Sequence, residues 1–357
     1  MNLAMDLAVT AKGKTNPNPI VGAILVKNGL IVGSGLHRKA GEPHAEVHAF
    51  RMAGEHAVGA TLYVTLEPCS HYGRTAPCAE LVRDSGVSRV VVALQDPNPL
   101  VAGKGIKMLV DAGIEVEVGV KGPEAALINE RFIHNMRTLT PYIISKVAMT
   151  LDGKLATHKK HSQWITGSEA RKQVHRIRNE VDAIMVGIGT VLADNPSLTT
   201  RLPEGGKNPI RIILDSNLRI PLESQVMNTT EAKTWIVTRE NADPNKLALL
   251  MEKGVEVIYS PVRETGLDLP ILLKTLYDKG ITDVLLEGGS ELNGTFLKER
   301  LINKFLIFVA PKLLGGLNSL TPFAGPNLDQ MDESLEVDLQ TIEKFGNDLC
   351  ITAYPKF

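Results

Sequence analysis

The stretch Glu42-Pro43-His44-Ala45-Glu46-Val47-His48 opens a predicted helix, and further along a predicted strand runs into Leu66-Glu67-Pro68-Cys69; Cys78 follows after eight intervening residues. One imidazole and two thiolates, from His44, Cys69 and Cys78, give a zinc ion three protein ligands and leave a tetrahedral position for water. Zinc held in this way lowers the pKa of its bound water towards about 7. Glu46 lies two residues from His44, near the metal but not a ligand, as a proton shuttle must.

Other interpretations of these residues are open. Cys69 and Cys78 are small enough to be buried core thiols, and His44 would then be a surface histidine. A structural zinc usually has four protein ligands, and the sequence offers no convincing fourth nearby. His48 is the main rival ligand, since it lies one helical turn from His44. The remaining cysteine, Cys350, is predicted to be a small core residue of the last strand.

The bulk composition bounds the class of protein. A chain of 357 residues with 43% hydrophobic and 22% charged residues is expected to form two ordinary globular domains. A formal net charge of -1 argues against a nucleic-acid binder that works by bulk electrostatics. Three cysteines are too few for a disulfide framework and favour a reducing, cytoplasmic location. The apolar runs have the length of strands, so no membrane span is expected.

The first part of the chain alternates short β-branched runs with helical stretches. This alternation predicts an α/β sandwich with helices packed on a central sheet. The predicted strands are Ile20–Val26, Leu30–Ser34, Thr61–Thr65, Val90–Ala93 and Ile114–Val118. The predicted helices are His44–Ala53, Cys78–Ser85 and Gly105–Asp111, after an amphipathic opening helix within Met1–Lys14.

A polar, helix-like segment ends at Pro141, which favours an extended residue before it and so predicts a domain boundary. We therefore expect one domain over 1–140 and a second, different one over 141–357. The predicted strands of the second domain are Tyr142–Ala148, Ala183–Gly187, Ile210–Leu214, Thr234–Val237, Val255–Tyr259, Asp283–Leu286, Lys304–Val309 and Leu349–Ala353.

His-x-Glu followed by Pro-Cys and a second Cys is the signature of the zinc nucleobase deaminases. Here a longer loop replaces their usual short spacing between the two cysteines. Together with that loop, five segments resemble the bifunctional deaminase–reductase family of riboflavin biosynthesis. They are Asn16–Gly22, Ala40–Ala49, Tyr63–Thr75, Asp96–Pro99 and Val101–Gly105.

The resemblance implies a cytidine-deaminase-like α/β/α sandwich that uses Zn²⁺ and Glu46. Its reaction would be hydrolytic removal of the 2-amino group from a diaminopyrimidinone that carries a ribosylamino 5′-phosphate. Such a substrate needs a phosphate cradle, for which His71 and Arg74 are candidates; their alternative is a solvated loop. Asn18 is a further candidate substrate contact, with turn chemistry as its alternative role.

In the second half, Glu287-Gly288-Gly289-Ser290 follows a predicted buried strand and opens a helix, where backbone N–H groups can approach a phosphate. Alone, this pattern is as often plain turn geometry. The segments Ser145–Lys154, Gln163–Gly167, Gly189–Pro196 and Ala310–Gly316 resemble the reductase domain of the same family. The resemblance implies a dihydrofolate-reductase-like α/β domain in which NADPH reduces a ribosylamino group to ribitylamino.

Family positions carried over by this resemblance give the site residues of the second half. Lys146 is a candidate for stabilising charge or binding substrate near the hydride acceptor. Trp164 could instead pack in the core, and Arg178 could instead lie on the solvated face of helix Glu169–Glu180. The expected substrate contacts are Ser162, Arg178, Leu198, Arg201 and Glu287. The expected cofactor contacts are Ala148, Trp164, Thr190, Asp194, Ser216, Gly289, Ser290, Glu291, Leu292, Asn293, Gly294 and Thr295.

Two other functions compete with this one. The first is deamination of another pyrimidine or of a tRNA base, with a non-catalytic second half; the long loop between the cysteines and the near-neutral charge disfavour tRNA. The second is a nucleotide-binding regulator with a structural zinc, which the spare Glu46 disfavours. The expected partners are small phosphorylated pyrimidines, and a homo-oligomer is expected because a small deaminase domain often needs neighbours to complete its site.

Overall fold

The computed structural model describes residues 1–72, 76–98, 101–159, 161–263 and 266–357. The chain forms two compact units, Met1–Leu139 and Thr140–Phe357, each of mixed α/β structure. Among the described residues, every helix is too short or too polar to cross a membrane.

The first unit is built on a five-stranded sheet in the order β2-β1-β3-β4-β5, in which β1 runs antiparallel to both neighbours and β3, β4 and β5 are parallel. Its strands are β1 (Gly22–Lys27), β2 (Leu30–Leu36), β3 (Thr61–Val64), β4 (Arg89–Val92) and β5 (Glu115–Val118). Its helices are α1 (Asn2–Val9), α2 (Ala45–Ala53), α3 (Cys78–Asp84), α4 (Lys104–Asp111), α5 (Gly122–Ile128) and α6 (Glu130–Thr138).

Helix α2 packs unusually close to the sheet. A Cβ atom at Gly33 of β2 would lie 2.3 Å from the Ala49 carbonyl oxygen, and one at Gly35 would lie 2.1 Å from that of Ala45. Only glycine permits this approach, and the facing residues of α2 are correspondingly small and fully buried alanines. The close contact sets the position of the first turn of α2, which begins next to His44.

The second unit is built on a nine-stranded sheet in the order β10-β9-β8-β7-β13-β6-β14-β16-β15, parallel except for its last two pairs. The strands of this sheet are β6 (Tyr142–Thr150), β7 (Ala183–Gly187), β8 (Ile210–Leu214), β9 (Thr234–Thr238), β10 (Glu256–Tyr259), β13 (Asp283–Leu286), β14 (Lys304–Ala310), β15 (Val337–Phe345) and β16 (Asp348–Pro355). The strands β11 (Val262–Arg263) and β12 (Gly266–Leu267) form a separate antiparallel pair. Its helices are α7 (Ser168–Glu180), α8 (Ile188–Asp194), α9 (Pro244–Glu252), α10 (Leu269–Asp278) and α11 (Ser290–Lys298).

All of the predicted strands are present, with shifts of a few residues at their ends. The buried central strands of the second unit are continuous apolar runs, as in parallel sheets covered on both faces. Strand β15 and the short pair β11 and β12 were not predicted. Strand β15 is an exposed edge strand that mixes charged and apolar residues, so its sequence lacks the pattern of a half-buried strand.

Candidate functional site

The three predicted zinc ligands of the first unit lie together. The His44 Nδ1 atom is 3.2 Å from the Cys78 Sγ atom and 3.6 Å from the Cys69 Sγ atom, and all three atoms lie within 4.8 Å of one another. With Zn–S of about 2.3 Å and Zn–N of about 2.0 Å, tetrahedral geometry separates such atoms by about 3.5–3.8 Å. The donor set therefore fits a zinc ion. Within the described part of the chain, His48 does not belong to the cluster.

Each ligand stands at the end of a secondary-structure element. His44 is the extended residue immediately before α2, and Cys78 is the first residue of α3. Cys69 follows β3, and its carbonyl oxygen accepts the Ala79 backbone N–H at 3.0 Å, which ties the β3 loop to α3. Hydrogen bonds from Cys78 and His44 lower the pKa of the Cys69 thiol from its ordinary value, against the opposing effect of burial. Cys69 is thus biased towards the thiolate, the form that binds metal.

Glu46 lies in the first turn of α2 and is 3% exposed. Its Oε2 atom is buried and has no hydrogen-bond partner among the described residues. Burial raises the pKa of Glu46 to about 7, against the opposing effect of a backbone hydrogen bond and His44. A buried carboxyl group that exchanges its proton near neutral pH, beside a metal-ligand cluster, is suited to general acid–base chemistry.

A histidine that the sequence did not single out adjoins this cluster. The buried His37 packs edge-on against the His44 ring, with the ring centroids 5.3 Å apart. Its Nδ1 atom donates to the Pro43 carbonyl oxygen at 3.2 Å, and its Nε2 atom lies 3.1 Å from the Asn18 amide nitrogen. This contact places the predicted substrate residue Asn18 near the cluster, whereas no sequence motif marks His37.

The two candidate phosphate residues of the first unit have different outcomes. His71 is exposed, as a contact for an incoming phosphate would be before binding. Arg74 lies outside the described residues. Both assignments stay predictions.

The second unit contains a cavity of about 440 Å³. Many of the predicted site residues line it, although they come from distant parts of the sequence. They are Lys146, Ala148, Ser162, Trp164, Arg178, Thr190, Asp194, Leu198, Arg201, Glu287, Gly289 and Asn293. The remaining predicted cofactor residues, Ser216, Ser290, Glu291, Leu292, Gly294 and Thr295, are not among the residues that line it.

A buried ionic cluster forms one wall of the cavity. Glu287 accepts two hydrogen bonds from the Arg178 guanidinium, at 2.8 and 2.9 Å, and lies 3.0 Å from the Lys146 ammonium. Burial alone would raise the pKa of Glu287, but the two cations outweigh it and hold that pKa well below its usual range. Arg178 is 11% exposed, so its alternative role on a solvated helix face is wrong.

Trp164 is 61% exposed beside the cavity, so core packing is wrong for this residue as well. The Arg171 guanidinium lies 4.8 Å from the centroid of its ring and donates to the Thr166 carbonyl oxygen at 2.6 Å. A held, exposed indole offers a flat surface to an aromatic ligand. Arg171 and His175, which also line the cavity, were not predicted.

The segment expected to contact the nucleotide is mostly helix. Gly289 is the extended residue before α11, and residues 290–295 form the first turns of that helix. A Cβ atom at Gly294 would lie 1.6 Å from the Ala324 carbonyl oxygen, so this glycine is required for packing. The nucleotide contacts of residues 290–295 stay predictions.

Each half of the chain matches a known protein family. Residues 1–94 match the cytidine and deoxycytidylate deaminase zinc-binding region, and residues 141–351 match the RibD C-terminal domain. The riboflavin biosynthesis protein RibD of Aquifex aeolicus is 47% identical over 351 residues, which cover 98% of this chain and 96% of that protein.

Two solved structures resemble the chain over its whole length. The Acinetobacter baumannii RibD structure has a TM-score of 0.88 at 40% identity and covers 100% of this chain and 98% of its own. A diaminohydroxyphosphoribosylaminopyrimidine deaminase/5-amino-6-(5-phosphoribosylamino)uracil reductase from Thermotoga maritima has a TM-score of 0.87 at 36% identity, with 100% and 97% covered.

These matches confirm the predicted fold class and the zinc-binding deaminase region, and they extend over the reductase half. The chain belongs to the RibD family of bifunctional deaminase–reductases of riboflavin biosynthesis.

Proposed function

We propose that the chain catalyses two successive reactions on one phosphorylated pyrimidine. The first is deamination of 2,5-diamino-6-ribosylamino-4(3H)-pyrimidinone 5′-phosphate, and the second is NADPH-dependent reduction of 5-amino-6-(5-phosphoribosylamino)uracil. The observation that carries the proposal is that one chain pairs three clustered metal-ligating residues, beside the buried Glu46 carboxyl group, with a cavity lined by the cations Lys146 and Arg178. One full-length relative, the Thermotoga maritima protein, is named for the same two activities.

In the first reaction, His44, Cys69 and Cys78 would hold zinc, which when bound supplies Lewis acidity and an activated water. Hydrolysis breaks the bond between the ring carbon and the amine and forms a bond from that carbon to oxygen. Glu46 accepts a proton from the water and delivers it to the departing ammonia. His71, Arg74 and Asn18 are proposed to bind the substrate.

In the second reaction, NADPH supplies the hydride when bound, and the protein orients the two reactants. The exposed Trp164 ring is proposed to pack against the cofactor. Lys146 contacts Glu287 and lines the cavity, which supports the proposal that its ammonium supplies stabilising charge or binds substrate near the hydride acceptor. Arg201 and Arg178 contribute positive charge to the same cavity, which suits a substrate that carries a phosphate.

We assign deamination to residues 1–140 and reduction to residues 141–357. A cytoplasmic location and a homo-oligomeric state are part of the same proposal. The near-neutral net charge and the cavity of about 440 Å³ in the second unit support a small-molecule substrate rather than a nucleic acid. Deamination of another base with a non-catalytic second half is not favoured, because relatives match across both halves.

The test is to incubate the full chain with the diaminopyrimidinone phosphate, with and without NADPH, and to identify the products by mass. The expected result is loss of one amine without NADPH and a further gain of two hydrogens with it. NADPH binding is also expected to quench the fluorescence of Trp164, which a Trp235→Phe variant would isolate because Trp235 is buried in the core. Deamination without reduction or NADPH binding would contradict the second half of the proposal.

A further inference from the structure

The segment from Asp96 to Ile106 carries the family-like motif noted in the sequence, yet neither proposed reaction uses it. Of its described residues, 96–98 and 101–106, four donate a backbone N–H group to the side chain of Glu67. Glu67 is 3% exposed and lies two residues before the ligand Cys69. A buried carboxylate therefore lies close to the three predicted zinc ligands without being one of them.

Both oxygens of Glu67 are engaged by backbone N–H groups. The Oε1 atom accepts from Gly105 at 2.9 Å and from Ile106 at 3.2 Å. The Oε2 atom accepts from Gly103 at 2.9 Å and from Asp96 at 3.2 Å. A carboxylate has about four lone-pair sites, so this set leaves none for a metal or a substrate.

Two of these donors belong to the first turn of α4. Helix α4 has no side-chain cap of its own, since its N-cap residue is Gly103. Glu67, which follows β3, supplies that cap from a distant part of the sequence. The negative charge meets the positive end of the helix dipole, and the four N–H donors compensate for its burial.

The capped helix also touches the chain just before the metal ligand. A Cβ atom at Gly105 would lie 2.1 Å from the Pro68 carbonyl oxygen, so the first turn of α4 packs directly against the peptide that joins Pro68 to Cys69. The backbone N–H of Glu67 donates to the Leu94 carbonyl oxygen at 2.9 Å, a second contact that holds the segment leading to Cys69.

We propose that Glu67 is a positioning residue of the deaminase site. It locks the start of α4 and Asp96 onto the turn that carries Cys69, and so fixes the Cys69 thiolate relative to His44 and Cys78. The inference rests on the proposed metal site. It gives Asp96, Gly103, Gly105 and Ile106 a role, as the backbone donors to Glu67 and the glycine contact with Pro68.

The test uses two variants of the full chain that disturb this contact from opposite sides. Glu67→Gln keeps the shape but turns one acceptor into an amide NH₂ that faces backbone donors. Gly105→Ala inserts a methyl group against the Pro68 carbonyl. Glu124→Gln is the control, because Glu124 is an exposed acidic residue in the first turn of another helix, α5.

Zinc affinity is measured by competition with a chromophoric chelator, together with amide exchange of residues 103, 105 and 106. We expect both variants to bind zinc about 10–100-fold more weakly, as when outer-shell partners of metal ligands are lost. In Glu67→Gln the three amides should exchange faster, while Glu124→Gln matches wild type and reductase activity is unchanged in all three.

Wild-type zinc affinity in a folded Glu67→Gln protein would overturn the inference. So would unfolding of the first unit in both variants at saturating zinc, since Glu67 would then serve general stability. Failure of the proposed function is a separate outcome, recognised because the wild-type chain itself would neither bind zinc nor release ammonia.

Discussion

The two units assemble their sites from the sequence in different ways. In the first, His44 and Cys78 are 34 positions apart and meet through the ends of neighbouring elements around one short sheet. In the second, Arg178 and Glu287 are 109 positions apart and meet because Ile177 of α7 packs in one core cluster with Leu285 of β13. The first site depends on ligand chemistry, and the second on the balance of buried charges. Substitutions in the first site should therefore mainly affect zinc binding and deamination, and substitutions in the second should mainly affect stability.

The largest effect is expected from Cys69→Ala or Cys78→Ala. Either change leaves two protein ligands, so zinc should be lost, and deamination should fall to background while reduction persists. Metal analysis and ammonia release measure the two effects. Cys350→Ala is the matched control, because it removes a buried cysteine from the second unit and should leave zinc in place. Zinc retained at the wild-type level in either ligand variant would rule out these ligands.

A smaller effect is expected from Glu46→Gln, which leaves the ligands intact but removes the proton carrier. Zinc should stay bound, and the rate of ammonia release should fall by about 10²–10⁴-fold, the usual contribution of general acid–base catalysis. Glu42→Gln, an exposed change in the same segment, should have little effect. Deamination at the wild-type rate in Glu46→Gln would remove Glu46 from the mechanism.

Arg178→Met in the second unit should weaken substrate binding in the reductase reaction, since Arg178 is a proposed substrate contact, and its clearest effect is expected on stability. Loss of one partner of a buried ion pair typically costs about 3–5 kcal/mol of unfolding free energy. The control is Arg176→Met, on the exposed side of the same helix, α7. Urea unfolding of both variants measures the difference. Equal stability of the two variants would show that the ionic cluster does not hold the second unit together.

The stability of the second unit should depend on pH through Glu287. The pKa of Glu287 is lowered in the folded protein from its ordinary value of 4.5, so the stability it contributes is fully present above that value. This contribution is lost as pH falls below 4.5 towards the folded pKa. In Arg178→Met the folded pKa should rise, so the loss should be smaller over the same acidic range. An unchanged pH profile in this variant would contradict the assigned cause.

Much of the first site could be predicted because its chemistry requires particular residue types that lie in short motifs of the sequence. The motif predicts His44, Cys69 and Cys78 as ligands and Glu46 as proton carrier, and the structure brings the three ligands together. His37 was not predicted, since a lone histidine outside a motif gives no signal of its packing against His44. Strand β15 was missed because an exposed edge strand needs no apolar face.

Residue types and their order are enough to predict the alternation of strands and helices, the metal ligands and the family. They do not show which buried charges neutralise one another, as Glu287 does with Arg178 and Lys146 once the chain is folded. The tertiary structure also decides that Glu67, only two residues from a ligand, caps α4 rather than binds metal. The physical reason is that ligand chemistry follows from residue type and local spacing. The partners of a buried carboxylate, in contrast, are set by which distant backbone and side-chain donors the packed fold brings within hydrogen-bonding distance.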